Sequence, residues 1–189
     1  VVSGTRNDGA AITDPNAINS HNTVNDADGA YYSIGKGGTI ILSFAGYAID
    51  VPGVDLTLHE ITSNPNSSPE EKATVAISQN GTDWHVLGVA KSTDSSGNSS
   101  FDVSSSGLSW FTMVKITDAT DYTGQAVDAD GYDLDAVSAS YQSCFIVDPF
   151  KEGEYDMNTG KISYDIFWEV IGEGEANITL SDILPAGVE

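Results

Sequence analysis

Short runs of strand-forming residues, separated by turn signals about every 8–12 residues, constrain the fold of this chain more than any other feature. Residues 72–78 and 83–90 are two such runs, and the Asn80-Gly81 pair between them is the strongest short hairpin signal in the sequence. Helical periodicity is essentially absent. The pattern therefore predicts an all-β protein, a jelly-roll or related β-sandwich with an additional C-terminal β segment.

The other strand-length segments follow the same pattern. Within 55–61, Leu56, Leu58 and, less regularly, Glu60 share one face of a predicted strand. Residues 91–100 read as a low-complexity loop, and the polar residues of 152–160 read as a turn. Further strands are predicted at 30–34, 39–44, 111–117, 131–139, 143–147, 161–171 and 176–180.

These segments predict a division of the chain into three parts. Residues 1–24 form a polar N-terminal arm, and residues 25–140 form a calcium-binding jelly-roll β-sandwich. Residues 141–189 form a C-terminal β-hairpin or a partial immunoglobulin-like extension.

The charge balance limits the possible partners. The chain of 189 residues carries 28 acidic and 7 basic side chains, for a net charge of -21. Such a surface repels nucleic acid and anionic lipid, so we predict neither as a partner. Charged residues make up only 19% of the chain, and with abundant Ser, Thr, Asn and Gly this is typical of an extracellular β-protein.

The N-terminus, the single cysteine and the glycosylation sequons also bear on the prediction of an extracellular protein. The sequence starts at Val1 rather than Met, so we expect a processed product, and no apolar run is long enough to insert into a membrane. The single cysteine, Cys144, excludes an intrachain disulfide; a buried thiol is the favoured interpretation and an intermolecular disulfide the alternative. Glycosylation sequons occur at Asn66, Asn80, Asn98 and Asn177.

Residues 117–137 carry the densest group of carboxylates. Six aspartates lie in this stretch, at Asp118, Asp121, Asp128, Asp130, Asp133 and Asp135. Strand alternation places Tyr132, Leu134 and Ala136 on one face and Asp133, Asp135 and Val137 on the other. Because no Lys or Arg lies nearby and calcium prefers oxygen ligands, the stretch predicts a calcium site on the rim of the sandwich. A solvated acidic loop is the alternative.

Four motifs in residues 25–139 resemble a family of secreted bacterial and archaeal cell-surface domains of galactose-binding-like type. They are YYSIGKGGTIILSF at 31–44, VPGVDLTLHE at 51–60, SQNGTDWHVLG at 78–88 and DGYDLDAV at 130–137. The resemblance implies an exported jelly roll, often with bound calcium. The ligands that it implies are Asp26, Asp28, Asp55, Glu60, Asp118, Asp133 and Asp135, to which the acidic stretch adds Asp130.

The last residues resemble a different kind of sequence. NITLSDILPAGVE at 177–189 is similar to part of a surface-protein repeat that normally continues for several more strands. An immunoglobulin-like unit of this length exposes an open sheet edge, which another molecule or the first domain must cover.

Three functions follow from these observations. The first is a self-assembling subunit of a cell-surface filament, sheath or surface layer, with copies of itself as partners, calcium at the contacts and strands added between subunits. The second is a secreted carbohydrate-binding or adhesion module. Its candidate aromatic residues are Trp84, Trp110, Tyr122, Tyr132 and Tyr155, although we expect at least two of the three tryptophans to be buried.

Enzyme activity is the third possibility, and we predict none. His21, His59 and His85 lie far apart and follow no metal-binding spacing, and the sequence has no nucleophile-elbow motif. A pair of carboxylates suited to glycoside hydrolysis is uninformative among 28 acidic residues.

Overall fold

The computed structural model of the protein describes residues 1–24, 26–61, 70–142 and 144–172. The chain forms two compact units, Val1–Tyr141 and Gln142–Glu189. Regular secondary structure in the described part is β-strand apart from short 3-10 turns, as the sequence predicts.

The first unit is built from two antiparallel sheets. A four-stranded sheet has the order β1-β8-β3-β6, and a five-stranded sheet has the order β5-β4-β7-β2-β9. The strands are β1 (Tyr32–Ser33), β2 (Thr39–Ile49), β3 (Leu56–Glu60), β4 (Lys72–Ser78), β5 (His85–Lys91), β6 (Asn98–Phe101), β7 (Trp110–Asp118), β8 (Asp133–Ala139) and β9 (Tyr141–Gln142).

Alternate side chains of the two sheets form one shared hydrophobic core. Leu56 and Leu58 of β3 point inward from the four-stranded sheet, and Val114 and Ile116 of β7 point inward from the other. Each such side chain contributes about 1.5–3 kcal/mol when fully buried. The two sheets therefore form a β-sandwich, which confirms the predicted fold class.

The predicted hairpin at Asn80-Gly81 is present. Strands β4 and β5 pair antiparallel, and Gly81 adopts a φ of 76° that favours glycine. The Asn80 side chain closes the turn by accepting the N–H groups of Thr82 and Asp83, each at 2.9 Å. The local turn chemistry thus specifies this part of the sheet.

Residues 1–24 lie along the first unit. Val2 forms a β-bridge with Thr39, and Thr5 forms a bridge with Lys36. Ala17 is buried, and its carbonyl accepts the N–H of Ser33 at 2.9 Å. Backbone hydrogen bonds therefore fix this arm to the β1 and β2 region.

A β-bulge in strand β8 corrects the predicted alternation. His59 lies opposite Ala136 and Glu60 lies opposite Leu134, so Asp135 is an extra residue without a partner position in β3. Beyond the bulge it is Val137, opposite Leu58, that packs against the core. Ala136 is buried, but it lies opposite His59 and so does not share a face with Leu134 as predicted.

Strand β6 corrects the predicted loop at 91–100. Residues Asn98–Phe101 pair antiparallel with β3. Ser99 is buried although it is polar, because its hydroxyl donates to Asp94 at 2.6 Å and accepts the N–H of Lys91 at 3.0 Å. A serine that satisfies backbone and carboxylate groups occupies a position where hydrophobic patterning requires an apolar residue.

The second unit contains a long hairpin of strands β10 (Cys144–Asp156) and β11 (Lys161–Gly172). Both predicted strands in this region are present, but residues 152–154 lie within β10 and the turn is confined to 157–160. The strand predicted at 176–180 and the side chain of Cys144 lie outside the described residues.

Candidate functional site

Three aspartates converge at one end of the four-stranded sheet. Asp50 follows β2, Asp55 precedes β3, and Asp102 follows β6. One oxygen from each of these carboxylates lies within 4.8 Å of the others. Because β3 pairs with β6, the chain ends that carry Asp55 and Asp102 must meet at this edge.

Hydrogen bonds hold two of the three carboxylates in place. Asp55 is buried and accepts the N–H of Val51 at 2.8 Å and of Val103 at 2.9 Å. Asp102 caps the 3-10 turn Val103–Ser106 by accepting the N–H of Ser104 at 2.9 Å. These bonds orient the carboxylates before any ligand arrives.

The electrostatics of this aspartate cluster favour a cation. Partial desolvation raises the pKa of Asp50, and the charges of Asp55 and Asp102 raise it further. Hydrogen bonding to Ser104 lowers the pKa of Asp102 and keeps it ionised. Three oxygen donors of this kind can hold a metal ion, and oxygen ligands suit calcium.

Only one predicted calcium ligand, Asp55, belongs to this cluster. The sequence analysis did not mark Asp50 or Asp102 as ligands. Asp26, also predicted, is exposed on the loop before β1. No other group of three acidic, histidine or cysteine side chains in the described ranges approaches so closely.

Asp133 lies at the start of β8, and its environment favours protonation. It accepts a hydrogen bond from the Ser33 hydroxyl at 2.5 Å. Burial raises the pKa of Asp133 to about 9; the Ser33 hydrogen bond opposes this shift, and the charges of Asp130 and Glu60 add to it. The pKa of Asp130 is also raised, mainly by desolvation.

Asp118 forms hydrogen bonds within the acidic segment that precedes β8. It accepts hydrogen bonds from the hydroxyls of Thr120 at 2.8 Å and Tyr122 at 3.1 Å. Burial raises the pKa of Asp118, and these hydrogen bonds oppose the rise. Its contacts to Thr120 and Tyr122 give this carboxylate a structural role, and its role as a metal ligand stays a prediction.

The bulge residue Asp135 binds the loop before β1. Its two carboxylate oxygens accept the N–H groups of Asp28 at 3.3 Å and Gly29 at 3.1 Å. Asp28 in turn accepts the N–H of Ala30 at 2.9 Å. The predicted ligands Asp28 and Asp135 are thus neighbours, joined by the hydrogen bond from the Asp28 backbone.

The predicted aromatic residues have unlike environments. Tyr132 is fully buried, which rules it out as a surface platform, and Tyr122 is half-buried. Trp84 is half-exposed beneath the Lys115 ammonium, 4.3 Å from the ring centroid, and Trp110 is half-exposed against Tyr47. Neither of these tryptophans is fully buried, contrary to expectation; the Trp168 side chain lies outside the described part.

One row of side chains crosses the five-stranded sheet. Val86, Ala76, Lys115 and Ile41 lie opposite one another on four adjacent strands. Val86 and Ile41 are exposed to solvent, whereas Ala76 is buried, and Trp84 adjoins the row through Lys115. This sheet-face row therefore presents two exposed aliphatic side chains and one cation to solvent.

Two of the predicted sequons can be described. Asn80 and Asn98 are both exposed, but their side chains form hydrogen bonds, Asn80 within its turn and Asn98 with His59 Nδ1 at 2.8 Å. His59 Nε2 also contacts the Ser138 hydroxyl at 2.7 Å. Asn66 and Asn177 lie outside the described residues.

Comparisons with known proteins give little to add to this geometry. No family model matches the chain, and no curated protein matches it. A solved structure described as a truncated AlyQ with CBM32 and alginate lyase domains is 11% identical with a TM-score of 0.44. The match covers 65% of this chain and 30% of that chain. The sandwich therefore rests on the strands and sheets described above, and no family is assigned.

No helix in the described residues is long and apolar enough to cross a membrane.

Proposed function

We propose that this chain is a non-catalytic extracellular structural protein that assembles into a larger cell-surface structure. The observation that carries this proposal is the hairpin of β10 and β11, which presents aromatic and aliphatic side chains to solvent. Among the described residues this sheet has two strands. A two-stranded sheet is marginally stable by itself in water, and large exposed apolar patches mark interaction sites. Contact with another protein surface would stabilise the hairpin and cover its exposed apolar side chains.

The proposal includes calcium because the aspartate cluster of Asp50, Asp55 and Asp102 could hold a metal ion. The ion would neutralise part of the -21 charge, which otherwise opposes bringing copies together. It would also tie the turn after β2 to the segments flanking β3 and β6. Calcium would then stabilise the sandwich, while the hairpin makes the assembly contacts.

Electron microscopy of the purified chain, with calcium and then with a chelator, tests the assembly role. We expect ordered fibres or sheets in calcium that loosen after chelation. Fibres that do not change after chelation would support assembly but would show that calcium is not needed at the contacts between subunits. Dispersed monomers across a wide range of concentrations in both conditions would overturn the proposal.

Carbohydrate binding is the second candidate function, and the sheet-face row with Trp84 favours it. Sugar rings stack on exposed aromatic faces, and the exposed Val86 and Ile41 of the row beside the indole could contact a glycan chain. The row contains no carboxylate. Its Lys115 side chain covers part of the Trp84 indole.

Tryptophan fluorescence during titration with a panel of neutral and acidic polysaccharides tests the second function. If glycans bind here, Trp84→Ala should remove binding, and Lys115→Met, which frees the indole face but keeps an aliphatic chain, should retain binding of neutral glycans. Saturable binding that Trp84→Ala leaves unchanged would exclude this surface.

A further inference from the structure

The hairpin of the second unit has two faces of opposite character. Cross-strand partners share a face, and successive residues alternate between faces. One face carries Tyr155, Ile162, Tyr164 and Ile166, which are 59%, 41%, 40% and 38% exposed, together with Gly153 and Lys151. We call these six residues the apolar hairpin face.

The opposite face carries the negative charge. Glu154 lies opposite Ser163, and Glu152 lies opposite Asp165, with Phe167 at the base of the same face. The apolar hairpin face contains no carboxylate, and its one charged side chain is the cation Lys151. The carboxylates Glu152, Glu154 and Asp165 therefore share a face with Phe167, and the apolar hairpin face has none.

Tyr164 makes the apolar hairpin face flat. Its ring lies across Gly153, where a Cβ atom would come within 2.8 Å of the ring. The Lys151 ammonium lies 3.8 Å from the ring centroid. A flattened aromatic ring beside Ile162 suits packing against another flat face.

We propose that two copies of this chain pack their apolar hairpin faces against each other, with the carboxylates of both hairpins facing outward. This inference rests on the proposed assembly function and names its contact. Two molecules of net charge -21 repel each other over most of their surfaces, so a face without carboxylates is where a second copy can approach most closely. A second copy also brings an equally apolar surface, which a general acidic or polar partner does not.

Face-to-face packing differs from the strand addition suggested by the sequence. It uses side chains rather than the free edges of β10 and β11, and it leaves those edges available for a separate contact. The apolar hairpin face spans five residues of each strand, about 17 Å by about 10 Å, which is far smaller than the ~800 Å² per partner of a standard interface. We therefore expect a weak contact that gains strength when several copies are joined.

Sedimentation of the full chain over a range of concentrations tests the pairing. Ile162→Glu places a carboxylate in the apolar hairpin face and should weaken self-association at least about tenfold. Ser163→Glu, one residue later on the opposite face, is the matched control and should leave self-association unchanged. The far-ultraviolet circular dichroism of both variants should remain that of the parent chain.

A charge-complementation mixture tests whether the partner is a second copy. Ile162→Glu and Ile162→Lys should each fail to self-associate, and an equimolar mixture should recover part of the association because opposite charges then meet across the contact. Recovery in the mixture supports the pairing.

The remaining outcomes separate this inference from the proposed function. Fibres that persist in Ile162→Glu would overturn the face-to-face contact while leaving assembly intact through another surface. A parent chain that stays monomeric, and whose melting temperature falls in Ile162→Glu but not in Ser163→Glu, would overturn both ideas. The apolar hairpin face would then be covered within one molecule.

Discussion

The carboxylate of Asp55 accepts the N–H of Val103 at 2.9 Å, although the two residues are separated by 48 positions in sequence. The bond joins the start of β3 to the 3-10 turn after β6, and the same side chain also accepts the N–H of Val51. Asp55 is therefore a structural anchor as well as a member of the aspartate cluster.

Replacing Asp55 with asparagine should destabilise the sandwich by about 1–3 kcal/mol, because an amide offers one acceptor oxygen to two N–H groups, of which that of Val103 is buried. Urea unfolding in a calcium-free buffer measures this loss independently of the metal. Asp102→Asn is the matched control, because an asparagine oxygen can still cap Ser104 and the loss should be much smaller. Equal losses in the two variants would contradict the anchoring role of Asp55.

Calcium should raise the melting temperature of the parent chain. Sites in extracellular modules commonly bind calcium with dissociation constants of about 10⁻⁴–10⁻³ M, so 10 mM calcium, roughly 10–100 times that range, should give a rise of several degrees. Differential scanning calorimetry with calcium, magnesium and chelator measures the shift.

Two variants locate that calcium response. Asp50→Asn should remove most of it, since Asp50 is one of the three clustered carboxylates. Asp26→Asn should retain it. A response that depends on Asp26 and not on Asp50 would instead place the ion among the ligands that the sequence resemblance implies.

The buried carboxyl of Asp133 should make folding less favourable as the pH rises. Its pKa is about 9 in the folded chain against an ordinary value of 3.8, so the folded protein holds a proton that the unfolded chain releases. Stability from this group is therefore full below about pH 4 and is lost progressively as the pH rises to about 9.

Asp133→Asn removes this titration while keeping a polar group beside Ser33. Chemical unfolding from pH 4 to pH 9 should show the variant gaining stability relative to the parent chain as pH increases, with the smallest difference near pH 4. A difference that does not change with pH would show that Asp133 does not titrate in this range.

The bulge residue Asp135 should control local opening of the loop before β1. Asp135→Ala removes the acceptors of the Asp28 and Gly29 N–H groups, so both amides should exchange with solvent faster. Hydrogen exchange measured by NMR gives the readout, and Ala73 and Val75 in β4 provide an internal reference that should not change.

Local patterns predicted the parts of the fold that are encoded locally. The Asn80-Gly81 turn and the inward face of Leu56, Leu58 and Glu60 both follow from neighbouring residues, and both are confirmed. Strand β6 contains one apolar residue, Phe101, so the sequence shows no alternation from which this strand could be predicted. Asn98–Phe101 becomes a strand because β3 offers it an edge, which is a tertiary effect.

Long-range geometry decided the candidate site. Asp50 lies only five residues before Asp55, in a turn that the Val51 N–H bond to Asp55 closes, but Asp102 reaches Asp55 only because β3 pairs with β6. The bulge at Asp135 likewise has no local signature, because an extra residue changes the facing of a strand without changing its composition. Spacing within 117–137 could therefore identify an acidic region but not the contacts of each carboxylate.

The two ends of strand β3 lie beside different carboxylates. Asp55 precedes it at the edge that holds the aspartate cluster, and Glu60 ends it near the protonated Asp133. The roughly 17 Å between these ends is longer than the ~7–10 Å within which substitutions usually couple. Changes to the aspartate cluster and changes to Asp133 should therefore add in their effects on the free energy of unfolding.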